Sequence, residues 1–313
     1  MTKPASDEAY DVVMCVAPND IAIAALAIRS LLANVSARKL FVVTARKNFS
    51  AINAIVENDK LCFVDEARLI PGITLETVQS IVAGRTDCEV RPGWFFQQFL
   101  KMGMCFHPHI ADHYLIWDSD TLLLRKTEFL DADGRALVAP TNRNCSRYFD
   151  TMERLLGYGK QVDYSFVAEH LVVKTQYMQA LVSRISPPDS GAGSWVGRIL
   201  CSIDANILNQ SCFSEYETYG SFVAREFPAS YQRRSLRSTR TATQLFGRIP
   251  NRFDLYSLMA SGYDYATFES WQKFNFRDNA IIKLVAFAKY FLAHADSRNR
   301  QFLANAKYLA GAG

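Results

Sequence analysis

The chain has 313 residues, of which 49% are hydrophobic and 21% charged, with a net charge of +4. That apolar content suffices for one large core or two modest ones and excludes disorder over the whole chain. So mild a charge, with no concentrated basic face, gives no ground for a nucleic-acid partner. The seven cysteines (Cys15, Cys62, Cys88, Cys105, Cys145, Cys201 and Cys212) are scattered and odd in number. They show no CxxC spacing, so neither a zinc site nor a disulfide framework is expected, and this usage favours a reducing compartment. The N-terminus has no apolar stretch of the signal-peptide kind, and no apolar run reaches the ~18–20 residues of a membrane span. The expected location is therefore cytoplasmic.

The first half alternates strand and helix signals. Asp11–Ala17 is a short run rich in β-branched residues that ends at Pro18-Asn19-Asp20, the pattern of a buried strand. Ile21–Asn34 carries apolar residues at helical spacing, with Asn19 or Asp20 placed to cap it. Lys39–Thr44 reads as a second strand, Ser50–Asn58 as a second helix and Leu61–Asp65 as a third strand. Alternation with connections this short implies parallel pairing, with helices on the sheet faces. Trp94–Cys105 reads as a helix whose apolar face is interrupted by Gln97, Gln98 and Lys101. Strands follow at Tyr114–Trp117 and Thr121–Leu124, then at Ala136–Pro140 and His170–Lys174. Ser186–Ser194, rich in Pro, Gly and Ser, reads as a mobile loop. The expected fold is α/β: a mixed, mainly parallel central sheet flanked by helices, with a helical C-terminal region that includes an amphipathic helix at Ala280–Phe291.

The sharpest feature is Asp118-Ser119-Asp120, directly after the apolar strand Tyr114–Trp117. In open α/β sheets, ligands bind at the carboxyl ends of strands. On an ideal strand, residues two apart share a side, and two carboxylates so close repel unless a cation lies between them. A hard divalent ion such as Mn2+ or Mg2+ suits carboxylates plus diphosphate oxygens. The competing reading is a turn, since Asp and Ser are common turn residues.

The segment Gly93–Arg125 (GWFFQQFLKMGMCFHPHIADHYLIWDSDTLLLR) resembles the donor-site stretch of GT-A glycosyltransferases, and most closely a bacterial glycosyltransferase family related in pattern to the glycogenin-like enzymes. Ser214–Gly220 (SEYETYG) also resembles that bacterial family. The resemblance implies a GT-A-like fold, with a catalytic domain over residues 1–225 (donor half 1–125, acceptor half 126–225) and a basic, helical extension over 226–313. It implies that Asp118 and Asp120 hold the metal and diphosphate with Ser119 between them. Ala17, Pro18 and Asn19 would line the base or ribose, and Arg91, Gln98 and Lys101 would complete the nucleotide-sugar site. For Lys101 the alternative is a solvated lysine on an exposed face. The glycogenin-like enzymes complete the metal site with a C-terminal histidine motif that is absent here; His170 and His294 are the substitutes.

Within Ser214–Gly220, Ser214 can cap a helix with Glu217 completing a capping box, which leaves Glu215 freer for chemistry. An inverting transferase needs a carboxylate base to deprotonate the acceptor hydroxyl, so Glu215 and Glu217 are both catalytic candidates. Glu169, His170 and Tyr216 are acceptor-binding candidates; Tyr216, Tyr219 and Trp94 are either sugar-stacking or packing aromatics. His107, His109 and His113 read as a polar connecting loop, with metal binding as the alternative. Asp204 is either an acceptor-side acid or a helix cap.

Seven arginines (Arg225, Arg233, Arg234, Arg237, Arg240, Arg248 and Arg252) follow Ala224. They form a solvated surface, bind an anionic acceptor, or dock the chain on an anionic membrane. The function expected is transfer of a sugar from a nucleotide-sugar donor to a glycan or glycolipid acceptor in bacterial surface polysaccharide or lipopolysaccharide synthesis. The alternatives are a sugar nucleotidyltransferase and a non-catalytic glycan-binding protein. The first is disfavoured because Ala17–Ala25 lacks the Gly-rich basic loop such enzymes carry.

Overall fold

The computed structural model describes residues 10–188, 190–276, 279–282 and 284. Its central sheet has five strands: β1 (Asp11–Cys15), β2 (Leu40–Thr44), β3 (Leu61–Asp65), β4 (His113–Trp117) and, later in the chain, β7 (His170–Lys174). Their order is β3-β2-β1-β4-β7. The first four run parallel, and β7 closes the edge antiparallel to β4, with Trp117 opposite His170. This is the expected mixed, mainly parallel sheet flanked by helices.

Alternation along the strands feeds two cores. Val13, Cys15, Phe41, Val43, Tyr114 and Ile116 face one side, where α3 (Glu66–Leu69), α4 (Leu75–Ala83) and α5 (Pro92–Gly103) lie, followed by α6 (Ser146–Leu156), α7 (Thr175–Ile185), α8 (Ser194–Ser202) and α9 (Glu215–Glu226). Val12, Met14, Leu40, Val42, Leu115 and Trp117 face the other, against α1 (Ile21–Asn34) and α2 (Phe49–Ile55). Each fully buried side chain of this size is worth about 1.5–3 kcal/mol relative to exposure, so burial on both faces holds the helices against the sheet.

The chain after Glu226 is less purely helical than expected. Besides α10 (Ala242–Phe246) and α11 (Arg252–Ala260) it contributes β8 (Tyr231–Arg233), β9 (Ser238–Thr239) and β10 (Tyr265–Thr267). β10 pairs with β5 (Thr121–Leu123) and with β9, while β8 pairs with β6 (Ala136–Val138). These strands are two or three residues long, too short for a period to show in the sequence. Leu255, Leu258, Tyr265 and Phe268 join the core on the α1 side, so this segment packs against the start of the chain. The expected helix at Ala280–Phe291 lies largely outside the described residues.

Ser186–Ser194 was expected to be a loop, and α8 begins at its last residue. Gly193 adopts φ +89°, where a Cβ would meet the Pro71 carbonyl at 2.7 Å; only glycine allows that approach. The seven thiols are all free. Among the described residues no helix is long and apolar enough to cross a membrane.

Candidate active site at the carboxyl ends of β1 and β4

β1 pairs with β2 on one side and β4 on the other, so chain order reverses between β1 and β4. A crevice outside the carboxyl ends of the strands at such a switch point is where open α/β sheets bind ligands. A cavity of about 540 Å3 opens there. Asp20 reaches it from the end of β1, and Asp118, Ser119 and Asp120 from the end of β4.

The two acids sit on a turn, not on extended strand. Thr121 N donates to Asp118 O at 3.1 Å, and Asp118 N donates to Glu169 O at 2.9 Å. The turn and the cavity-facing readings therefore hold together: a tight turn between β4 and β5 aims both side chains into the crevice. From behind, Phe268 N donates to Asp120 O at 2.8 Å, and Thr121 and Thr267 share a 2.9 Å hydroxyl contact.

Lys101 is buried, contrary to the solvated reading. Its Nζ donates to Asp118 Oδ1 at 2.7 Å, Glu215 Oε1 at 2.8 Å and Tyr216 OH at 3.2 Å. Tyr216 OH donates in turn to Asp118 Oδ1 at 2.8 Å. α5 brings the lysine and α9 brings Glu215 and Tyr216. Gln98 fixes the crossing of the two helices, its side chain accepting from Glu215 N at 3.1 Å. Burial raises the Glu215 carboxyl while Lys101 opposes that rise, and the lysine is itself held well above its ordinary value by Asp118 and Glu215 against its own burial.

Asp120 differs from its neighbours. Burial first, then the charges of Asp118, Glu269 and Asp20, push its carboxyl up to about 7. Each of those three acids has a basic partner: Lys101 holds Asp118, Arg240 holds Glu269 and Arg248 holds Asp20. Among the described residues Asp120 has none. The Asp118–Asp120 turn thus carries more carboxylate charge than the basic side chains around it balance, since Lys101 is shared between Asp118 and Glu215. Hard carboxylate oxygens in cation deficit fit a divalent ion of the Mn2+ or Mg2+ class. Among the described residues, no three Asp, Glu, His or Cys side chains form a complete ligand set, so the remaining positions would fall to donor oxygens or water.

Of the other sequence candidates, Arg91, Trp94, Gln98, Ser119, Glu169 and Tyr216 line the cavity and the rest fall elsewhere. His170 is a correction: its ring stacks on Trp117 (centroids 5.2 Å apart) and meets Phe129 and Tyr265 edge-on. Both its nitrogens are buried without a partner and burial lowers it to about 4. β7 alternation turns it into the core, so it neither lines the cavity nor completes a metal site. His294 lies outside the described residues.

Glu217 sits behind the cavity wall, accepting from Ser165 Oγ at 2.6 Å and Phe166 N at 3.1 Å. Ser214 caps α9 by accepting from Glu217 N, but these contacts use the Glu217 carboxylate in place of the reciprocal half of a capping box. Ala17, Pro18 and Asn19 are exposed at the end of β1, outside the cavity lining, and Asp20, not capping α1, turns to Arg248. Glu169 is buried in the wall between Arg143 (2.7 Å) and Arg240 (3.0 Å). Arg91, ten residues before Lys101, stands about 15 Å up the helix axis from it, beside Ser211. Asp204 is a cap, accepting from Asn206 N at 3.0 Å. His107 and His109 stack edge-on in the loop before β4.

Arg143, Arg240, Glu269 and Trp271 line the cavity without having been singled out for it. Arg240 belongs to the arginine-rich stretch, and its role shows only once β9 and β10 bring it to Glu169 and Glu269. Trp271 donates its indole N–H to Glu269 Oε2 at 2.8 Å, a contact no sequence pattern signals.

Residues 19–244 match the model of a family described as a family of unknown function, DUF6492, and the chain belongs to that family. No curated protein matches it. Among solved structures, the chain is similar to the galactosyltransferase LgtC in complex with donor and acceptor sugar analogues, with 14% identity and a TM-score of 0.44 over 93% of this chain and 99% of that one. It is similar to mouse xyloside xylosyltransferase 1 (14%, TM-score 0.41, 74% and 87% of the two chains). It is also similar to the glycosyltransferase GlyE of Streptococcus pneumoniae TIGR4 (14%, 0.39, 91% and 63%). At these scores and identities the likeness by itself assigns neither an activity nor a substrate.

Proposed function

We propose that this member of a family of unknown function is a metal-dependent glycosyltransferase, moving a sugar from a nucleotide-sugar donor to a glycan or glycolipid acceptor. The observation that carries the reading is the cation-deficient Asp118–Asp120 turn at the β1–β4 switch point, opening into a cavity of about 540 Å3. A nucleoside diphosphate with its counter-ion is the ligand whose charge such a site lacks. A divalent ion bound there would stabilise, as a Lewis acid, the charge that builds on the leaving diphosphate.

The chain's own groups divide the rest of the work. Lys101 and Tyr216 both bind Asp118 Oδ1, which orients the carboxylate and leaves Oδ2 as the oxygen offered to the cavity. Asp120 supplies the second carboxylate. Glu215 lines the cavity, and its opposition of burial and Lys101 suits a carboxylate that exchanges a proton or negative charge with the reacting centre. Glu217 holds the Ser165 hydroxyl and the Phe166 N–H and takes no part in the chemistry. The placement of the acceptor among bacterial surface glycans rests on the sequence resemblance alone.

Release of nucleoside diphosphate from a panel of nucleotide sugars, with Mn2+ or with a chelator, tests the proposal. The expected result is release from at least one donor, dependent on the ion and lost in Glu215→Gln. A well-folded protein that turns over no donor under either condition would sink it.

A further inference from the structure

We infer that the far end of the cavity holds a cationic subsite that takes an oxyanion, a carboxylate or phosphate group, on the acceptor sugar. That the oxyanion belongs to an acceptor rests on the transferase reading; the anion site itself does not.

Two arginines from different helices converge on Ser211. Arg91, exposed at the start of α5 and lining the cavity rim, donates to Ser211 Oγ at 3.4 Å; Arg147, half-buried behind the lining in the first turn of α6, donates to the Ser211 carbonyl at 3.3 Å. Both contacts are long for a guanidinium. Their charges also meet at the next residue: burial raises the Cys212 thiol to about 12, and Arg147 and Arg91 both act against that rise. Neither arginine forms an ion pair with any described carboxylate. The other two arginines that line the cavity do: Arg143 with Glu169, and Arg240 with Glu169 and Glu269.

Two guanidiniums brought to one residue with no carboxylate between them leave a positive field, partly screened by water at the exposed Arg91, that an anion would neutralise. α5 and α6 add to the field, since neither has a side-chain cap or an acid in its first turn. The planar fork of arginine suits a carboxylate or phosphate bidentately. Below Arg91 lies the Trp94 ring, 5.1 Å from the guanidinium carbon, and Trp94 and Tyr148 both line the cavity. They offer flat faces to the ring that carries the charge. The acidic donor end and this basic end lie at opposite ends of α5, so one cavity accommodates a diphosphate with its cation and a separate anion.

The test is calorimetric titration of the whole chain with glucose, glucuronate and glucose 6-phosphate, alone and with a nucleoside diphosphate plus Mn2+. At least one of the two anionic sugars should bind at least tenfold more tightly than glucose. The better of the two identifies carboxylate or phosphate as the natural group. Arg91→Gln with Arg147→Gln should erase that preference while the melting temperature and the nucleotide–metal response persist, and Arg91→Lys should weaken it only in part. Equal binding of all three sugars, binding of none, or an anion preference that survives the double variant would overturn the inference. Loss of nucleotide binding in the double variant would overturn it too, by returning Arg91 to the donor. If wild-type protein shows the anion preference but no nucleotide response, the transferase reading fails and the anion site stands.

Discussion

Lys101 and Asp118 form a 2.7 Å ion pair in which the lysine side chain is 3% exposed and the aspartate 30%. The pair lies on the boundary between core and cavity. On its buried side Lys101 also neutralises Glu215, so one cation sets the orientation of a candidate metal ligand and the charge of a candidate catalytic acid.

Lys101→Met should therefore cost both stability and donor binding. It strands Glu215 in the core without its cation, a loss of about 3–5 kcal/mol for a broken buried pair. Glu215, already raised by burial, would rise further without the lysine that opposes it. The folded state holds the extra proton, so stability falls as pH rises above the ordinary carboxylate range. Denaturant unfolding at pH 5 and pH 8 checks this; a variant as stable as wild type at both pH values would contradict it.

His170 predicts a pH dependence of opposite sign. Its folded value of about 4 lies below the 6.5 of an unperturbed histidine. Between these values the unfolded chain binds the proton and the folded chain does not, so stability rises with pH across that window and is complete above it. The difference is worth about 3 kcal/mol. Comparing unfolding curves of wild type and His170→Phe from pH 4 to pH 7 isolates it: the dependence of the difference should follow this window. A flat difference would mean that the ring is not buried as a neutral imidazole.

Gly220 allows the wall behind Glu215 to close. A Cβ there would lie 2.1 Å from the Phe166 ring, so Gly220→Ala should cost about 1–3 kcal/mol by overpacking. It should also displace the Ser165 hydroxyl and the Phe166 N–H that Glu217 holds. A melting temperature equal to wild type would show that Phe166 can move aside freely.

Much of the donor half was legible because its elements are long or strongly apolar. Ile21–Asn34 and Leu61–Asp65 run between the residues where their patterns begin and end, as does His170–Lys174 in the acceptor half. The cavity was legible only on the side where Asp118, Asp120, Lys101 and Glu215 lie within recognisable segments. Its opposite wall is assembled from distant, patternless pieces: Arg240 before α10, Glu269 after a three-residue strand, Ser211 in a loop. His170 misled because a histidine beside a glutamate reads as polar, whereas strand alternation sends Glu169 to the cavity and His170 into an aromatic core. Glu215 and Glu217 are two positions apart on a helix, so they point to different sides; that geometry distinguishes them where capping chemistry alone did not.

The measurement that reaches the central claim most directly is titration of a nucleoside diphosphate into wild type and Asp120→Asn, each with Mn2+ and with a chelator. Among the described residues Asp120 has no basic partner to strand, so the variant should keep its melting temperature. The account predicts that Mn2+ tightens nucleotide binding at least tenfold in wild type, about 1.4 kcal/mol, and that Asp120→Asn abolishes this coupling. Nucleotide binding that is indifferent to Mn2+ in wild type, or a coupling that persists in Asp120→Asn, would contradict it.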